Sequence, residues 1–466
     1  MAISLKPLMI SGKEVLPLIE GGKGVAVSNG ESSGAWAAAG GVGTFSAVNA
    51  DKVDENGQII RTVYHGRSRK ERFEELVSQA IAGGISQAQI AHDVAGGEGR
   101  IHANILWEMG GAEHVLTGVL EGAKGLIHGV TCGAGMPFRL APIAAHYQVY
   151  YYPIISSARA FRALWLRSYR KHPEWLGGVV YEDPWLAGGH NGLSNSEDPL
   201  LPGDPYLRVA ELRKTMNEFG LQNTPIVMAG GVWFLREWAN WLDNPEIGPI
   251  TFQYGTRPML TQESPISDVW KSRLMQLKEG DIRLNKFSPT GFYSSAVYNQ
   301  FLHNLYDRAD REVAFVDHPA GDHVEPFRFG VRNKEVFVTR HDHKRINEWI
   351  EEGFTKGLQT PDSTLVFVTP AEAKEIREDQ LGCMGCLSQC SFSNWAANEA
   401  GTTGRKADPR SFCIQKTLQD IAHGADPSTH LMFAGHAAYR FALDPFYANG
   451  FIPTVKQLVE RICTGD

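Results

Sequence analysis

The feature that most constrains the fold of this chain is the regular alternation of short apolar runs with longer, helix-like stretches through its first 260 residues. This alternation is typical of βα units built around a parallel sheet. Helices long enough to cross back over a sheet are predicted at 112–121, 158–169, 206–219 and 235–242. The eight apolar runs are 16–25, 41–48, 101–107, 125–131, 149–156, 177–183, 224–231 and 249–255.

Eight strands with intervening helices in about 250 residues predict an α/β fold of the (β/α)8, or TIM, barrel type. A doubly wound open sheet is the alternative, because counting runs cannot show that a sheet closes. The glycines favour the barrel. They gather just beyond the C-terminal ends of the runs, where barrel enzymes build their sites.

The regular alternation of apolar runs with helix-like stretches ends at about residue 265. Residues 267–308 are predicted to be helical with a break at 288–291. Residues 327–340 are predicted to form a β-hairpin that turns at Asn333. A cysteine-bearing stretch rich in Gly, Ser and Asn begins at Leu381, and helices are predicted after this stretch, up to residue 466.

This change in the sequence pattern predicts that the chain has two structural parts. The first is the barrel, over 1–310, and the second is a C-terminal α+β extension over 311–466 with a Cys-rich segment at 383–413. Neither a repeat nor a low-complexity linker separates them. We therefore expect the extension to pack on the barrel.

Charge and hydropathy exclude several classes of partner. The 466 residues carry a formal net charge of -7, so neither nucleic acid nor an anionic membrane surface is expected. The sequence has no apolar run of the roughly 18 residues that a membrane span needs, and its N-terminus does not resemble a signal peptide. We expect a cytoplasmic protein that acts on a small molecule.

The segment 187–192 places one imidazole, that of His190, between two pairs of small residues just after the sixth run. Glycines let a backbone approach a flat or charged ligand, and histidine is the side chain best suited to exchange a proton near neutral pH. A turn whose histidine only packs is the alternative. The position on the predicted rim favours an active-site histidine.

Two further motifs fit a phosphate cradle. The seventh run ends in Gly230 and Gly231, and the eighth ends in Gly255 and Thr256. In a barrel these two loops lie side by side, and backbone N–H groups exposed there bind phosphate. Each motif alone could be only a tight turn, but together they predict a phosphate site.

Six stretches resemble, in the same order, the nitronate monooxygenase (2-nitropropane dioxygenase-like) family of FMN-dependent barrel oxidoreductases. That family includes FMN-containing enoyl-acyl-carrier-protein reductases. The set is specific to the family although each stretch is not, and it covers roughly residues 15–265. The stretches are 18–24, 39–44, 102–105, 187–192, 228–232 and 253–257 with 263–264.

The resemblance implies an FMN site and a role for each motif. His190 would stand near the reacting substrate, either as the base that takes a proton from a nitroalkane or as a group that orients the substrate of the reductases. The positions implied to hold FMN are Gly230, Gly231, Gly255 and Thr256 at the phosphate, Gly21, Gly22 and Asn104 at the isoalloxazine or ribityl region, and Gly188 and Gly189 where the backbone approaches the flavin.

One departure from the family lies beside the implied flavin. The family usually has Gln-Gly-Gly-Met where this chain has Glu20-Gly21-Gly22-Lys23. A flexible cation there would stabilise anionic reduced flavin or bind an acidic substrate, so Lys23 is included among the cofactor-binding residues. The alternative is that Lys23 points to solvent or joins a salt bridge.

Four of the six cysteines gather within 31 residues of one another, at Cys383, Cys386, Cys390 and Cys413. Thiolates at such spacing can surround one metal centre. The first three resemble the iron–sulfur segment of the dienoyl-CoA reductase and trimethylamine dehydrogenase family, which are also FMN barrels. Three alternatives stay open: a 4Fe–4S cluster, a structural zinc ion, and reduced or regulatory thiols.

Five other polar or aromatic residues are candidates near the rim. A thiol mechanism would need a nucleophile with a base, but no third orienting residue can be named. Trp185 is expected either to wall the substrate pocket or to pack beneath the extension. The five candidates are His128, Cys132, Glu182, Asp183 and Trp185.

These observations predict an FMN-dependent oxidoreductase that oxidises nitronates or similar acidic carbon compounds. The nearest alternative is reduction of an activated C=C bond, as in enoyl reductases, with electrons from NAD(P)H, an electron-donor protein or an iron–sulfur cluster. A flavin-free phosphate-binding barrel is the further alternative. The sequence leaves open the substrate, the electron donor and whether the chain forms a homo-oligomer.

Overall fold

The computed structural model describes Ile3 and residues 5–466. No helix within these residues is both long and apolar enough to cross a membrane. The strands are β1 (Leu8–Ile10), β2 (Lys13–Val15), β3 (Leu18–Glu20), β4 (Val42–Ser46), β5 (Arg100–Leu106), β6 (Gly129–Gly133), β7 (Tyr150–Ile155), β8 (Val179–Glu182), β9 (Gly189–His190), β10 (Ile226–Ala229), β11 (Ile250–Tyr254), β12 (Ile282–Asn285), β13 (Ser294–Val297), β14 (Glu312–Ala314), β15 (His323–Phe329), β16 (Lys334–Thr339), β17 (Lys356–Gln359), β18 (Thr364–Val368), β19 (Gln389–Cys390) and β20 (Trp395–Ala396).

The α-helices are α1 (Gly30–Ala38), α2 (Arg69–Val94), α3 (Ala112–Gly122), α4 (Leu140–Tyr147), α5 (Ala158–Arg167), α6 (Pro205–Glu218), α7 (Asp268–Leu274), α8 (Gln300–Asp310), α9 (Arg340–Glu351), α10 (Pro370–Leu381), α11 (Ile414–Ala422), α12 (Arg440–Leu443) and α13 (Val455–Cys463). Short 3-10 helices cover Tyr169–Lys171, Pro173–Trp175, Leu235–Trp241, Arg257–Met259, His436–Tyr439 and Pro445–Gly450.

Eight parallel strands form a closed barrel in the order β3-β4-β5-β6-β7-β8-β10-β11, and β11 pairs back with β3. Each strand overlaps one of the eight predicted apolar runs. The barrel prediction is therefore confirmed, and closure excludes the open-sheet alternative.

The wall around the barrel is built from the intervening helices and from the end of the chain. Helices α1 to α6 connect the first seven barrel strands, while the predicted helix at 235–242 is a 3-10 helix. The barrel strands and the intervening helices share one apolar core. Helix α13 packs in this core, because its Val455, Leu458 and Ile462 are buried there. The extension thus packs on the barrel and supplies part of its wall.

The interior of the barrel contains a cluster of buried apolar side chains. Ile19, Tyr152, Val180 and Val227 are buried there, and the β1–β2 hairpin closes the N-terminal end. Side chains alternate along a strand, so the residue two positions further points to the same side. By this alternation Glu182 follows Val180 at the C-terminal mouth of the barrel.

The region after the barrel differs from its prediction in one part. Residues 267–308 are helical at α7 and α8, but β12 and β13 lie between them where a helix with a break was predicted. These strands form a sheet with β9, which comes from the distant loop that carries His190. Pairing between distant segments has no local sequence signature, so the helical prediction for 282–297 is wrong.

The predicted hairpin at 327–340 is confirmed. Strands β15 and β16 are antiparallel partners, and Asn333 turns between them with a left-handed φ of 50°. Asparagine adopts this conformation more readily than most residues. A separate three-stranded sheet, β14-β18-β17, packs beside it.

Candidate active site

A single pocket at the C-terminal mouth of the barrel brings the predicted site residues together. Its floor comes from the ends of the barrel strands, and Phe433, Ala434 and Gly435 of the extension cover it. All eleven residues predicted to bind FMN or substrate line this pocket: Gly21, Gly22, Lys23, Asn104, Gly188, Gly189, His190, Gly230, Gly231, Gly255 and Thr256.

The loops after β10 and β11 present unused backbone donors to this pocket. Among the described residues, the N–H groups of Gly230, Gly231, Gly255 and Thr256 donate no backbone hydrogen bond in the turns and loops. Gly230 and Gly231 have φ angles of 90° and 75°, which glycine adopts without strain. Free N–H groups in adjacent loops are the donors that a phosphate-binding site uses, so these four groups are candidates for one.

Thr256 adds a side-chain donor to the same place. Its Oγ1 accepts a hydrogen bond of 2.9 Å from the N–H of Gly435, which leaves the hydroxyl hydrogen free to be donated. Gly255 faces open space, because a Cβ added there would meet no atom within 4 Å. The site at Gly255 and Thr256 is therefore open on the side of the pocket. On its other side, Thr256 contacts Gly435 of the extension.

The wall at Gly21 and Gly22 is kept flat by close packing. A Cβ added to Gly22 would lie 2.2 Å from Cβ of Asn104, and one added to Gly21 would lie 3.2 Å from Cα of Gly255. Asn104 in turn donates to Oγ1 of Thr131 at 3.3 Å. Glycine is required at position 22, and the resulting surface suits a planar ligand.

Gly188 and Gly189, beside His190, are explained by close packing and by backbone conformation respectively. A Cβ at Gly188 would lie 2.5 Å from the backbone of Ala434 and Gly435, so the close approach there is between the barrel loop and the extension. Gly189 has a φ of 72°. The structure therefore explains Gly188 by protein packing, and an approach of its backbone to flavin stays a prediction.

His190 is held in a partly buried position by strand pairing and a hydrogen bond. It lies in β9 opposite Ser294, and its Nε2 is 2.6 Å from Oγ of Ser288. The ring packs edge-on against Phe433. Burial lowers the pKa of His190 to about 4, so the imidazole is neutral at pH 7. It is a weaker base than proton abstraction at neutral pH calls for.

Glu182 is the carboxyl group at the mouth of the barrel. Burial, and then the charge of neighbouring Asp183, raise the pKa of Glu182 to about 8. The side chain lines the pocket, so the pocket contains a carboxylic acid that keeps its proton at neutral pH. Asp183 has a structural role, because it accepts hydrogen bonds from the N–H groups of Trp185 and Leu186.

The remaining rim candidates do not form a reactive pair. His128 precedes β6, at the end of the barrel opposite the rim, so the expectation that it lies near the rim is wrong, whereas Cys132 lies within β6 toward its C-terminal end. Its Nδ1 accepts from the N–H of Ile101 at 3.2 Å, and burial lowers its pKa to about 4. Burial raises the pKa of the Cys132 thiol, which keeps it protonated.

Trp185 packs beneath a loop and does not line the pocket. The indole is buried, its Nε1 donates to the carbonyl of Asp198 at 3.1 Å, and Arg208 stacks on its ring. Trp185 therefore packs within the barrel part of the chain, against Asp198 and Arg208, and these contacts match neither the pocket wall nor the packing beneath the extension that was expected.

Lys23 lines the pocket but is engaged by the protein. Its Nζ is 3.3 Å from a carboxylate oxygen of Glu20 and donates to the carbonyl of Gly21 at 2.6 Å. Glu20 is fully buried and also accepts from Oγ of Ser32. Burial lowers the pKa of Lys23, and Glu20 partly offsets this effect. The salt-bridge alternative for Lys23 is thus the one that the structure shows.

The buried ion pair of Glu20 and Lys23 predicts that substitutions at these two positions have non-additive effects on the free energy of unfolding. Lys23→Met should lower the free energy of unfolding by about 3 kcal/mol, because it leaves the carboxylate of Glu20 buried without a counter-ion. The double variant Glu20→Gln/Lys23→Met removes both charges, and we expect it to recover most of that loss. Urea unfolding of the four proteins in this cycle measures the coupling, and additive losses would contradict it.

The four clustered cysteines lie beside the pocket, and Cys386 lines it. Cys383 and Cys390 are buried, and the other two are partly buried in the same apolar cluster. Within Ile3 and 5–466, no three His, Cys, Asp or Glu side chains are arranged to hold a metal ion. The described residues thus show no preformed metal site, and the iron–sulfur, zinc and free-thiol alternatives for these cysteines stay predictions.

Some residues of the site were not predicted from the sequence. Gln253 in β11 lines the pocket, and Ser288, which lies in the predicted helix break, contacts His190 from outside the pocket lining. Phe433 and its neighbours come from the extension. The run of small residues from Ala434 to Ala438 is a signal for close packing, but it does not say against what.

Comparison with known proteins supports the fold. No family model and no curated protein matches the sequence. FabK from Thermotoga maritima is 14% identical with a TM-score of 0.52, over 96% of this chain and 92% of that one. Nitroalkane oxidase from Streptomyces ansochromogenes is 14% identical with a TM-score of 0.52, over 97% and 95%. The enoyl reductase domain of MlnA from Bacillus amyloliquefaciens is 11% identical with a TM-score of 0.56, over 97% and 93%.

Proposed function

We propose that this chain is an FMN-dependent oxidoreductase that reduces an activated C=C bond of a small molecule. The observation that carries the proposal is the set of four free N–H groups in the loops after β10 and β11, beside a covered pocket. The similar structures are consistent with it, since one is an enoyl reductase domain and another a nitroalkane oxidase.

The residues present fit FMN in two places. Gly230, Gly231, Gly255 and Thr256 would hold the phosphate through their N–H groups, and the flat wall at Gly22 would lie against the ring. When bound, FMN supplies hydride transfer. The protein supplies binding, orientation and the proton.

The charges in the pocket favour an uncharged substrate. Glu182 holds a proton at neutral pH, and His190 is neutral and can donate or accept one hydrogen bond. Both cations that line the described pocket are already paired, Lys23 with Glu20 and Arg257 with Asp444. A carbonyl-activated alkene needs a hydrogen-bond donor and a proton, and these two groups can provide them.

Oxidation of nitronates is the second candidate. It is favoured by the similarity to nitroalkane oxidase and by the hydrogen bond of 2.6 Å that fixes His190 beside the pocket. A nitroalkane would have to lose its proton to a base of pKa about 4, whereas a preformed nitronate would not. The second candidate therefore applies to preformed nitronates.

One set of measurements tests the cofactor and the reaction together. We expect the purified protein to be yellow, with about one FMN per chain released on denaturation, because the cradle offers one phosphate site. We expect NAD(P)H or a one-electron donor to drive reduction of an enoyl thioester. Oxygen uptake with propionate 3-nitronate should be slow by comparison.

Each outcome distinguishes between the alternatives. Colourless protein that takes up no FMN would overturn the flavin proposal and leave the phosphate-binding barrel. Rapid oxygen uptake with propionate 3-nitronate and no enoyl reduction would replace the reductase with the second candidate. Inorganic phosphate should compete with FMN, because both use the same four N–H groups.

A further inference from the structure

Four thiols that the proposed reaction does not use lie together at one edge of the pocket. Cys383 follows α10, Cys390 ends β19, and Cys413 caps the N-terminus of α11. Cys383 and Cys390 are buried and Cys386 and Cys413 are partly buried in one apolar cluster, and Cys386 lines the pocket.

One of these sulfurs accepts a hydrogen bond from a side chain. The hydroxyl of Ser393 donates to Sγ of Cys383 at 3.0 Å. A hydrogen-bond donor at a sulfur stabilises its thiolate form. Hydrogen bonds to sulfur also help to set the potential of iron–sulfur centres.

The cysteine segment is fixed to the rim of the barrel. The N–H of Gly110 donates to the carbonyl of Cys386 at 3.0 Å, and the N–H of Ser388 donates to the carbonyl of Glu108 at 2.7 Å. A Cβ on Gly110 would lie 2.0 Å from the carbonyl oxygen of Gly385. The loop after β5 thus holds Cys386 against the pocket.

The absence of a preformed ligand set for a single ion, among the described residues, bears on which kind of metal centre these cysteines suit. A single tetrahedral ion draws its sulfurs to within roughly 4 Å of one another, given metal–sulfur bonds of about 2.3 Å. No three ligands in the described chain are arranged in that way. A multi-iron cluster holds four thiolates at its corners, further apart, with the iron and sulfide between them.

We infer that Cys383, Cys386, Cys390 and Cys413 bind an iron–sulfur cluster that passes electrons into the pocket. The electron-transfer part of this inference rests on the proposed function. The electron source is a reduced one-electron carrier, such as a small iron–sulfur or flavin protein. Two electrons delivered singly, with two protons from solvent, reduce one FMN, and two carriers are oxidised.

The test uses full-length protein purified without oxygen. We expect about four irons and four acid-labile sulfides per chain, and an electron paramagnetic resonance signal after reduction with dithionite. Cys413→Ser should lose most of the iron, whereas Cys463→Ser in α13 should keep it. With reduced methyl viologen as donor, flavin reduction should be at least ten-fold slower in Cys413→Ser than in Cys463→Ser.

The outcomes separate this inference from the proposed function. Stoichiometric zinc, or metal-free protein that stays so after reconstitution with iron and sulfide, would overturn the cluster even if FMN is bound. Protein that contains iron but no FMN would support the cluster and would overturn the proposal that the chain binds flavin. Equal rates of flavin reduction in the two variants would overturn the electron route. If Cys413→Ser does not fold, iron and sulfide analysis of the unaltered protein still decides whether the cluster is present.

Discussion

Gly255→Val should weaken FMN binding about 100-fold while leaving the barrel folded. A Cβ at this position meets no protein atom within 4 Å, so the new side chain would project into the phosphate cradle without disturbing its surroundings. It would displace the phosphate from the N–H groups of Gly255 and Thr256. Losing two charge-assisted hydrogen bonds costs about 3 kcal/mol, which corresponds to about 100-fold weaker binding of FMN.

The matched control is Gly357→Val in β17. Its added Cβ would make ordinary contacts with Phe329 and Phe367, far along the chain from the cradle. We expect normal FMN affinity by fluorescence titration in the control, and unfolding temperatures close to that of the unaltered protein in both variants. Unchanged affinity in Gly255→Val would show that the phosphate lies elsewhere.

His190→Ala should lower kcat/KM for the enoyl substrate by about 100-fold or more with FMN still bound. The neutral imidazole is placed by Ser288 at the covered side of the pocket, where it can hydrogen-bond a substrate carbonyl. Removing one such donor typically costs a factor of 100 to 1000, as a rough guide. His146→Ala, on the exposed face of α4, is the control and should keep full activity.

The pH profile should separate His190 from Glu182. His190, with a pKa of about 4, is neutral throughout the range above pH 5, so no change in rate is expected near pH 6.5. Glu182 is protonated below about pH 8, and activity should fall as the pH rises through that value because the proton donor is lost. In Glu182→Gln we expect lower activity without this fall. A fall at the same pH in that variant would assign the titration to another group.

Much of the barrel could be predicted from local sequence, because each strand carries its own apolar run. All eight runs overlap barrel strands, and the glycines at their ends mark the pocket. Closure could not be read from the runs, since it depends on hydrogen bonds between β11 and β3, more than 200 residues apart. The (β/α)8 prediction relied on the count of strands.

Contacts between distant segments account for what was missed. The sheet β12-β13-β9 forms because the loop at Gly189 and His190 pairs with residues about 100 positions later, and neither segment shows this alone. The same holds for Phe433 over the pocket. The depressed pKa of His190 follows from this covering, so a histidine expected to act as a base near neutral pH is buried and neutral.

The position of α13 has a consequence for how the chain folds during synthesis. This helix packs against the barrel beside α1, over 400 residues earlier in the sequence, and the buried pair of Arg257 and Asp444 also joins the barrel to the extension. The barrel wall therefore stays incomplete, with apolar surface exposed, until α13 has left the ribosome. Such long-range closure makes folding slow and exposes nascent chains to aggregation, so chaperone depletion should reduce the yield of this protein sharply.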